Sequence, residues 1–397
     1  MSVLDSLLDR DFLEECLNRK QKSSALAQEG MAALEAYCAG GTIEQDIDTI
    51  LRGENLVSPP KRVLSLVGGK QREFYSFDER AKCLFWLVAQ AFRPYEEPRV
   101  HHCCSSALGP DIKDVFRDLV RLDANRQNWV VLADIRNYSN SMTPSMVQEI
   151  LESMVPGDTR AQAFVLSALQ PPSHMDHGVE SRDSVFVGTG TALNSLLANV
   201  ALSRADAALA QKALVNTRYV DDCFAIFERE EDARAALNGF RAEVERLGLS
   251  LNEAKSYVVP AGEAFEYIGL CISKNGIDLS DGLYAQARAF FRQNTRALLS
   301  QVRRGALPPD AAMAMLAQGV NQILDNPEPI AWALPLLNLT TTDEGLRSLD
   351  RYLQDCMRKV GSGKTGPARY RISYGCLKAH GYRSIVNWRH RNHLVLF

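Results

Sequence analysis

The sequence lacks any apolar run close to the roughly 20 residues that a transmembrane helix requires. Its longest candidate, residues 192–202, is interrupted by Asn194 and Asn199. The N-terminal segment also lacks the uninterrupted apolar core of an export signal, because acidic residues and an arginine break it in MSVLDSLLDRDFLEECLNRK. We therefore expect a cytoplasmic protein with no membrane partner.

The composition lacks the biases of disordered, collagenous or small disulfide-rich chains. Of 397 residues, 46% are hydrophobic and 23% are charged, which is ordinary for a globular protein. Nine cysteines in a cytoplasmic chain should be mostly reduced. The run His101-His102-Cys103-Cys104 lacks the spaced ligand pairs of a zinc site, so we expect it to have a structural role.

The C-terminal region lacks acidic residues altogether. Residues 356–397 contain nine Lys or Arg and no Asp or Glu, although the whole chain carries a net charge of −3. Tyr370, Tyr374, Tyr382 and Trp388 lie among these cations. Cations that contact phosphates, together with aromatic rings that stack on bases, favour a nucleic-acid surface. A solvated basic helix is the alternative.

Hydrophobic periodicity predicts an α+β protein in three parts. These parts are a helical N-terminal extension at 1–55, a mixed region at 56–275 and a helical, basic region at 276–397. The elements expected in the mixed region are a hairpin of 62–67 with 72–77, a helix at 78–92, a strand at 129–133, helices at 142–153 and 191–214, two strands within 218–227, a helix at 231–247 and strands at 256–259 and 265–273.

Three acidic residues follow or separate apolar strands. Asp221 and Asp222 lie between two apolar stretches, where adjacent Asp residues tolerate the positive φ of a tight hairpin turn. Asp134 ends the apolar strand 129–133, so all three acids could meet at one edge of an antiparallel sheet. Crowded carboxylates with hard oxygen ligands favour Mg²⁺, with Mn²⁺ as the alternative, for phosphoryl transfer. Taken alone, an Asp-Asp turn is more often a solvated hairpin.

Several motifs, in the same order along the chain, resemble those of the reverse transcriptases. The signature Tyr-X-Asp-Asp stands here as Tyr219-Val220-Asp221-Asp222. The other segments that resemble family motifs are the fingers motif at 69–72, the first palm motif at 129–138, the template helix at 190–199, the motif ending in Lys at 247–255 and the primer-grip hairpin at 265–269.

The resemblance implies a right-hand polymerase, with fingers and a palm sheet at 56–275 and a helical thumb at 276–397. It implies that Asp134 and Asp221 hold the catalytic metal ions and that Asp222 completes the acidic turn. Lys255 would lie near the leaving pyrophosphate, where a cation offsets the developing charge.

The resemblance also implies a nucleotide site. Lys70 and Arg72 would hold the incoming triphosphate, since phosphate oxygens favour Lys charges and Arg forks. The aromatic residue that excludes a ribose 2′-hydroxyl normally lies five residues after the first Asp, where this chain has Ser139. Tyr138 is one residue earlier, and we expect a small backbone shift to place it beneath the sugar. The alternative is weak discrimination between dNTPs and rNTPs.

Two departures from the family concern the template. Gly188-Thr189-Gly190 stands where the family usually has Pro-Gln-Gly, and Asn194 stands where it has Ser. Together with a stand-alone length and a helical extension, these departures are similar to the bacterial defence-associated, abortive-infection enzymes. The implied partners are a noncoding RNA template, nascent DNA and dNTPs, and either a second copy of the chain or a partner polymerase subunit.

Two alternatives remain open at the level of sequence. The missing Gln favours a template-independent or protein-primed DNA polymerase. A retron-type enzyme, or an RNA-binding scaffold that keeps the fold while its chemistry is incidental, is the second alternative.

Overall fold

The structure is a computed structural model with a mixed α+β architecture. It describes residues 2–22, 30–67, 70–122, 127–138, 141–182, 186, 190–325, 337 and 339–391, and for 65–67 and 70–72 it describes the backbone alone. Among these residues, no helix is both long and apolar enough to cross a bilayer. The α+β class expected from the sequence is confirmed.

The helices are α1 Arg10–Gln21, α2 Met31–Ala39, α3 Ile43–Leu51, α4 Glu79–Ala91, α5 Arg93–Glu96, α6 Ile112–Arg121, α7 Pro144–Met154, α8 Thr159–Leu169, α9 Ala192–Ala201, α10 Ser203–Ala210, α11 Glu230–Arg246, α12 Asp281–Arg303, α13 Pro309–Asp325, α14 Glu344–Ser362, α15 Tyr374–Ala379 and α16 Ile385–Arg391. The strands are β1 Lys61–Val67, β2 Lys70–Ser76, β3 Trp129–Asp134, β4 His174–Asp176, β5 Val179–Ser181, β6 Val215–Tyr219, β7 Asp222–Phe227, β8 Tyr257–Val259, β9 Phe265–Tyr267, β10 Leu270–Ser273 and β11 Gly276–Leu279.

The chain packs as two compact units. The first contains residues 1–115 and 129–258, and the second contains 116–128 and 259–397. The N-terminal helices belong to the first unit, where Leu4 and Leu34 are buried in the same core as Val131 of β3. The division into extension, fingers with palm, and thumb remains a prediction.

The central sheet of the first unit has the strand order β6-β7-β3-β8. Strand β7 lies antiparallel to both β6 and β3, and it is buried from Cys223 to Phe227. Strand β3 is buried from Val130 onwards, with helix α11 packed against it. Because β3 and β7 are antiparallel, the last residue of β3 and the first residue of β7 lie at the same end of the sheet, and both of these residues are acidic.

The second sheet of this unit has the order β2-β1-β4-β5. The hairpin expected at 62–67 and 72–77 is confirmed as β1 and β2, which pair antiparallel from Lys61 with Ser76 to Val67 with Lys70. The short strands β4 and β5 lie in the polar stretch that the sequence analysis left without elements. Their hydrophobic alternation is too brief to give a period.

The helix expected at 191–214 is instead two helices, α9 and α10. The break falls at Leu202, whose side chain is fully buried. The apolar pattern continues across the break, so periodicity alone does not reveal it. In the second unit, β9, β10 and β11 form an antiparallel sheet, and α14 packs against α12 and α13.

Gly190 provides a test of how β2 approaches the start of α9. Its φ is +114°, and an added Cβ would lie 2.3 Å from the Tyr75 carbonyl oxygen. Gly157 also has a positive φ, +76°, but its Cβ would meet nothing within 4 Å. Gly190→Ala should therefore lower the free energy of unfolding by about 2 kcal/mol more than Gly157→Ala, which carries only the backbone strain. Urea denaturation measures both, and equal losses would contradict the close approach.

Candidate active site

The signature hairpin turns one residue earlier than expected. Tyr219 of β6 pairs with Asp222 of β7, so the two turn residues are Val220 and Asp221. The positive φ, +60°, falls on Val220, the first central position, where type II′ turns usually carry Gly. The expectation that both aspartates occupy the turn was wrong, because Asp222 already pairs as the first residue of its strand.

Asp134 lies directly opposite Asp222. The two residues are Cα partners in the antiparallel pair β3 and β7. Directly opposite side chains lie on the same face of a sheet, with Cβ atoms about 5 Å apart. The Ile135 amide donates to the Asp221 carbonyl oxygen at 3.3 Å. The three acids are thus neighbours at one edge, although Asp134 is separated from the others along the chain.

The loop after α11 surrounds Asp134 with donors. Lys255 Nζ donates to Asp134 Oδ2 at 2.7 Å, and Asn252 Nδ2 donates to Asp134 Oδ1 at 3.0 Å. The Asn252 amide donates to the Asp134 carbonyl oxygen at 2.8 Å, and the Asp134 amide donates to Ser256 Oγ at 3.1 Å. This loop therefore fixes both the backbone and the carboxylate of Asp134.

Crowding changes the protonation of Asp222. Burial raises the pKa of this carboxyl to about 7, with the charges of Asp221 and Asp134 adding to the effect and that of Lys255 opposing it. Burial opposes the charge of Lys255, but its hydrogen bond with Asp134 and the nearby acids outweigh burial and raise the lysine pKa. Lys255 is therefore a cation at neutral pH, and the edge still carries surplus negative charge.

The donor chemistry of this edge fits a hard divalent cation. Three carboxylates offer the oxygen ligands that Mg²⁺ and Mn²⁺ prefer. In the part of the chain that the structure describes, however, no group of three or more His, Cys, Asp or Glu is arranged to hold a metal ion. At this edge Lys255 already occupies Asp134 Oδ2. The carboxylates are therefore gathered but not preassembled as a cage.

Arg218 is the site residue that the sequence analysis missed. It lies in β6 one residue before Tyr219, and its side chain is 1% exposed. Its guanidinium forms a two-point ion pair with Asp206 of α10, with both contacts at 2.8 Å. Burial opposes the charge, but Asp206 outweighs it and raises the Arg218 pKa. The available signal was an arginine directly before the signature Tyr219, but Asn216 and Thr217 of the same strand are also polar. The sequence pattern therefore does not distinguish a buried Arg218 from an exposed one.

The segment His101-His102-Cys103-Cys104 has the expected structural role. Cys103 bridges in parallel to Arg218, whose amide donates to the His102 carbonyl oxygen at 2.6 Å. The Cys104 amide donates to the Arg218 carbonyl oxygen at 2.8 Å. This run thus pairs with the outer side of β6.

Of the residues expected at the nucleotide, the structure describes the side chain of Tyr138 alone. Tyr138 is 1% exposed, and its hydroxyl donates to the Ala198 carbonyl oxygen of α9. In this conformation its contacts are those of a core residue. Ser139 and the side chains of Lys70 and Arg72 lie outside the described residues, so their roles remain predictions.

The template-helix departures are only partly visible. Gly188 and Thr189 lie outside the described residues. Asn194 is 5% exposed, and its Nδ2 lies 3.8 Å from Met142 Sδ. The backbone amide of Asn194 donates to Thr191 Oγ1 at 3.0 Å, at the start of α9. Asn194 therefore packs inside the first unit.

The cations of the C-terminal region are partly neutralised within the second unit. Within the described part of the chain, four of the nine form ion pairs with acids from outside residues 356–397, namely Lys359 and Arg369 with Asp355, Arg383 with Asp325, and Arg389 with Asp343. Tyr370 and Tyr374 are 59% and 42% exposed. Arg369 lies over the Tyr370 ring and Lys378 over the Tyr374 ring. The surface that could contact phosphates is thus smaller than the sequence count indicates.

The chain is distantly similar to many solved structures, among them two telomerases. No protein-family model and no curated protein matches the chain. The chain is similar to an apo telomerase from Candida tropicalis truncated from its C-terminal domain, with 14% identity and a TM-score of 0.43, over 57% of this chain and 56% of that chain. It is also similar to a telomerase from Candida albicans in complex with a TWJ fragment of telomeric RNA, with 12% identity and a TM-score of 0.45, over 86% of this chain and 63% of that chain.

Those coverages mean that the chain spans less than two thirds of the length of either telomerase structure. Both TM-scores are below 0.5, so both similarities are distant.

The raised pKa of Asp222 predicts an inverse pH dependence of stability in metal-free buffer. The folded-state pKa of about 7 lies above the ordinary 3.8, so the folded protein holds a proton that the unfolded chain has lost. The free energy of unfolding should fall as pH rises from 3.8 to about 7 and then level off, with a slope from this group of up to about 1.4 kcal/mol per pH unit. Urea denaturation between pH 5 and about 8 measures this slope.

Asp222→Asn removes the group and should flatten the slope. Asp232→Asn is the control, because ion pairs hold the pKa of Asp232 below its usual value and it does not titrate in this range. An unchanged slope in Asp222→Asn would contradict the assignment of the proton to Asp222.

Proposed function

We propose that the protein is a reverse transcriptase, an RNA-directed DNA polymerase that adds dNTPs to a 3′-hydroxyl. The observation that carries the proposal is the direct pairing of Asp134 with Asp222, beside Asp221, at the end of two buried strands. Such an edge suits in-line phosphoryl transfer, in which divalent ions neutralise charge on the attacking and leaving oxygens.

Each residue of the edge has a proposed role. Asp134 and Asp221 hold Mg²⁺ or Mn²⁺, and Asp222 adds the third carboxylate. Lys255, now 2.7 Å from Asp134, provides the cation nearest to the acids and the charge that would meet the leaving pyrophosphate. Its side chain is 51% exposed, so it can move to a new partner without breaking a packed core.

The nucleotide and its setting are proposed from the reverse-transcriptase motifs. Lys70 and Arg72 contact the triphosphate, and Tyr138 faces the sugar after a change from its present buried position. The departures at Gly188-Thr189-Gly190 support a bacterial antiphage role in the cytoplasm, acting on a dedicated noncoding RNA. Exposed Tyr370 and Tyr374, beside cations, support a nucleic-acid contact in the second unit.

A template-independent or protein-primed DNA polymerase is the second candidate. The missing Gln before α9 and the inward packing of Asn194 favour it, because both reduce the polar contacts available to a template strand.

Metal binding can be measured without activity. Mg²⁺ that binds the folded protein at a hundredfold excess over its dissociation constant should add about 2.7 kcal/mol of stability. Asp134→Asn or Asp221→Asn should abolish this gain in thermal denaturation at pH 8. Asp355→Asn, which removes a carboxylate already paired with Lys359 and Arg369, should keep it. A Mg²⁺ effect that persists in Asp134→Asn would place the ion elsewhere.

Polymerisation is tested with purified protein, each labelled dNTP and an RNA template annealed to a DNA primer. Asp221→Asn should lower the extension rate by at least about 10³-fold, since it removes transition-state charge stabilisation. Asp232→Asn should have no effect. Full activity of Asp221→Asn would overturn the proposal, and a wild-type protein that binds RNA without incorporating nucleotides would support the scaffold instead.

The same assay without RNA separates the two polymerase candidates. An RNA-directed enzyme should incorporate label only with template, in the sequence that the template dictates. Incorporation without RNA would favour the template-independent candidate. Label that stays on the protein band after nuclease treatment would indicate covalent priming from a protein hydroxyl.

A further inference from the structure

Arg218 is buried beneath the hairpin at an energetic cost. A guanidinium removed from water loses several kcal/mol of hydration, and only good geometry with full hydrogen bonding offsets this. Here the side chain is 1% exposed, and its Nε and Nη2 donate to the two carboxylate oxygens of Asp206 at 2.8 Å each. A hydrophobic pair could fill the same volume. The other hydrogen bonds of the guanidinium therefore show what a charged residue provides at this position.

Those remaining contacts join two other elements. Arg218 Nη2 also donates to the Asn199 carbonyl oxygen of α9 at 2.8 Å. Its Nη1 donates to the Val220 carbonyl oxygen at 2.9 Å. The guanidinium therefore ties the turn of the hairpin to α9 and α10 at once, which an apolar side chain could not do.

Val220 needs such support. It is β-branched and has a φ of +60°, a combination that costs on the order of 1–3 kcal/mol and persists only where the surroundings enforce it. Its amide donates to Ser105 Oγ at 3.1 Å, and Ser105 in turn donates to Asn199 Oδ1 at 3.1 Å. Both backbone polar groups of Val220 are thus held, one by Ser105 and the other by Arg218.

The conformation of Val220 sets the direction of the residues that follow it. Asp221 is the next turn residue, and Asp222 begins β7 opposite Asp134. A turn that relaxed to a negative φ at Val220 would rotate the following peptide and move both carboxylates away from Asp134. An error of about 1 Å at a reacting centre can cost 10²-fold in rate.

We propose that Arg218, Asp206 and Ser105 are positioning residues, which hold Val220 in its strained conformation and so direct Asp221 and Asp222 toward Asp134. The inference rests on the proposed function for its effect on rate, but the local conformation can be measured independently. A positioning role can be distinguished from one that only fills the core. If Arg218 acts by enforcing the strained conformation of Val220, a residue that adopts positive φ without strain at position 220 should make Arg218 dispensable.

The experiment compares Arg218→Lys and Ser105→Ala, each in the wild-type and the Val220→Gly background. Lysine keeps the charge of Arg218 but cannot reach Asp206, Asn199 and Val220 together. Each single variant should lower the maximal primer-extension rate by about 10²-fold with little change in the KM for dNTP. Gly adopts positive φ without steric cost. In the Val220→Gly background, Arg218→Lys and Ser105→Ala should therefore each have a rate within about fivefold of that of the Val220→Gly single variant.

Hydrogen exchange gives the readout that does not depend on activity. The amides of 219–222 should exchange about tenfold faster in Ser105→Ala and Arg218→Lys than in the wild type, and this change should also be reduced in the Val220→Gly background. Arg80→Lys is the matched control. Arg80 forms a two-point pair with the buried Asp46 at 2.7 and 2.6 Å and bonds to none of the hairpin residues, so its variant should alter neither readout.

The outcomes separate the two levels of the account. If the rate falls equally in both backgrounds, or if exchange of 219–222 is unchanged in Ser105→Ala and Arg218→Lys, the positioning role is overturned. If the wild-type protein does not extend primers, the proposed function fails, and the exchange measurement alone decides whether Arg218 and Ser105 hold the turn. Should Arg218→Lys fail to fold, Ser105→Ala gives the same test, because it removes only one hydroxyl from a half-buried residue.

Discussion

The repulsion among three carboxylates at one sheet edge is the constraint on which the rest of the site depends. Strand pairing puts Asp134 and Asp222 opposite each other, with Asp221 adjacent in the turn. Burial and these charges together raise the pKa of Asp222 to about 7. Crowded carboxylates destabilise the folded protein unless neighbouring groups offset their charge, and the ion pair of Lys255 with Asp134 does so in part. The remaining negative charge is what a divalent cation would neutralise.

Two different supports hold this unfavourable edge together. On the β3 side, Lys255 and Asn252 bind the Asp134 carboxylate. On the hairpin side, the buried Arg218 holds the Val220 backbone. The first support is exposed enough to exchange its partner, while the second lies in the core. The site therefore combines a replaceable counter-ion with a fixed turn, an arrangement that suits metal binding beside a preorganised carboxylate pair.

Sequence reasoning predicted the strands and the meeting of the acids, because Asp134 follows one buried apolar run, Asp222 precedes another, and antiparallel pairing of the two runs brings these residues together. It placed the turn one residue late, since the strain at Val220 is enforced by Ser105 and Arg218 rather than by local propensity. The pairing of Arg218 with Asp206 and of Ser105 with Val220 was not predicted either, because each contact joins residues that are distant along the chain. Its count of C-terminal cations could not include pairing with Asp343 or Asp325, which lie outside the counted stretch.

A crystal of the protein soaked in Mn²⁺ would show by anomalous difference density whether a divalent ion binds between Asp134 and Asp221. We expect a manganese peak about 2.1 Å from carboxylate oxygens of both Asp134 and Asp221, with Lys255 displaced from Asp134 Oδ2. A structure in which Lys255 still binds Asp134 and no manganese peak lies between the aspartates would contradict this expectation.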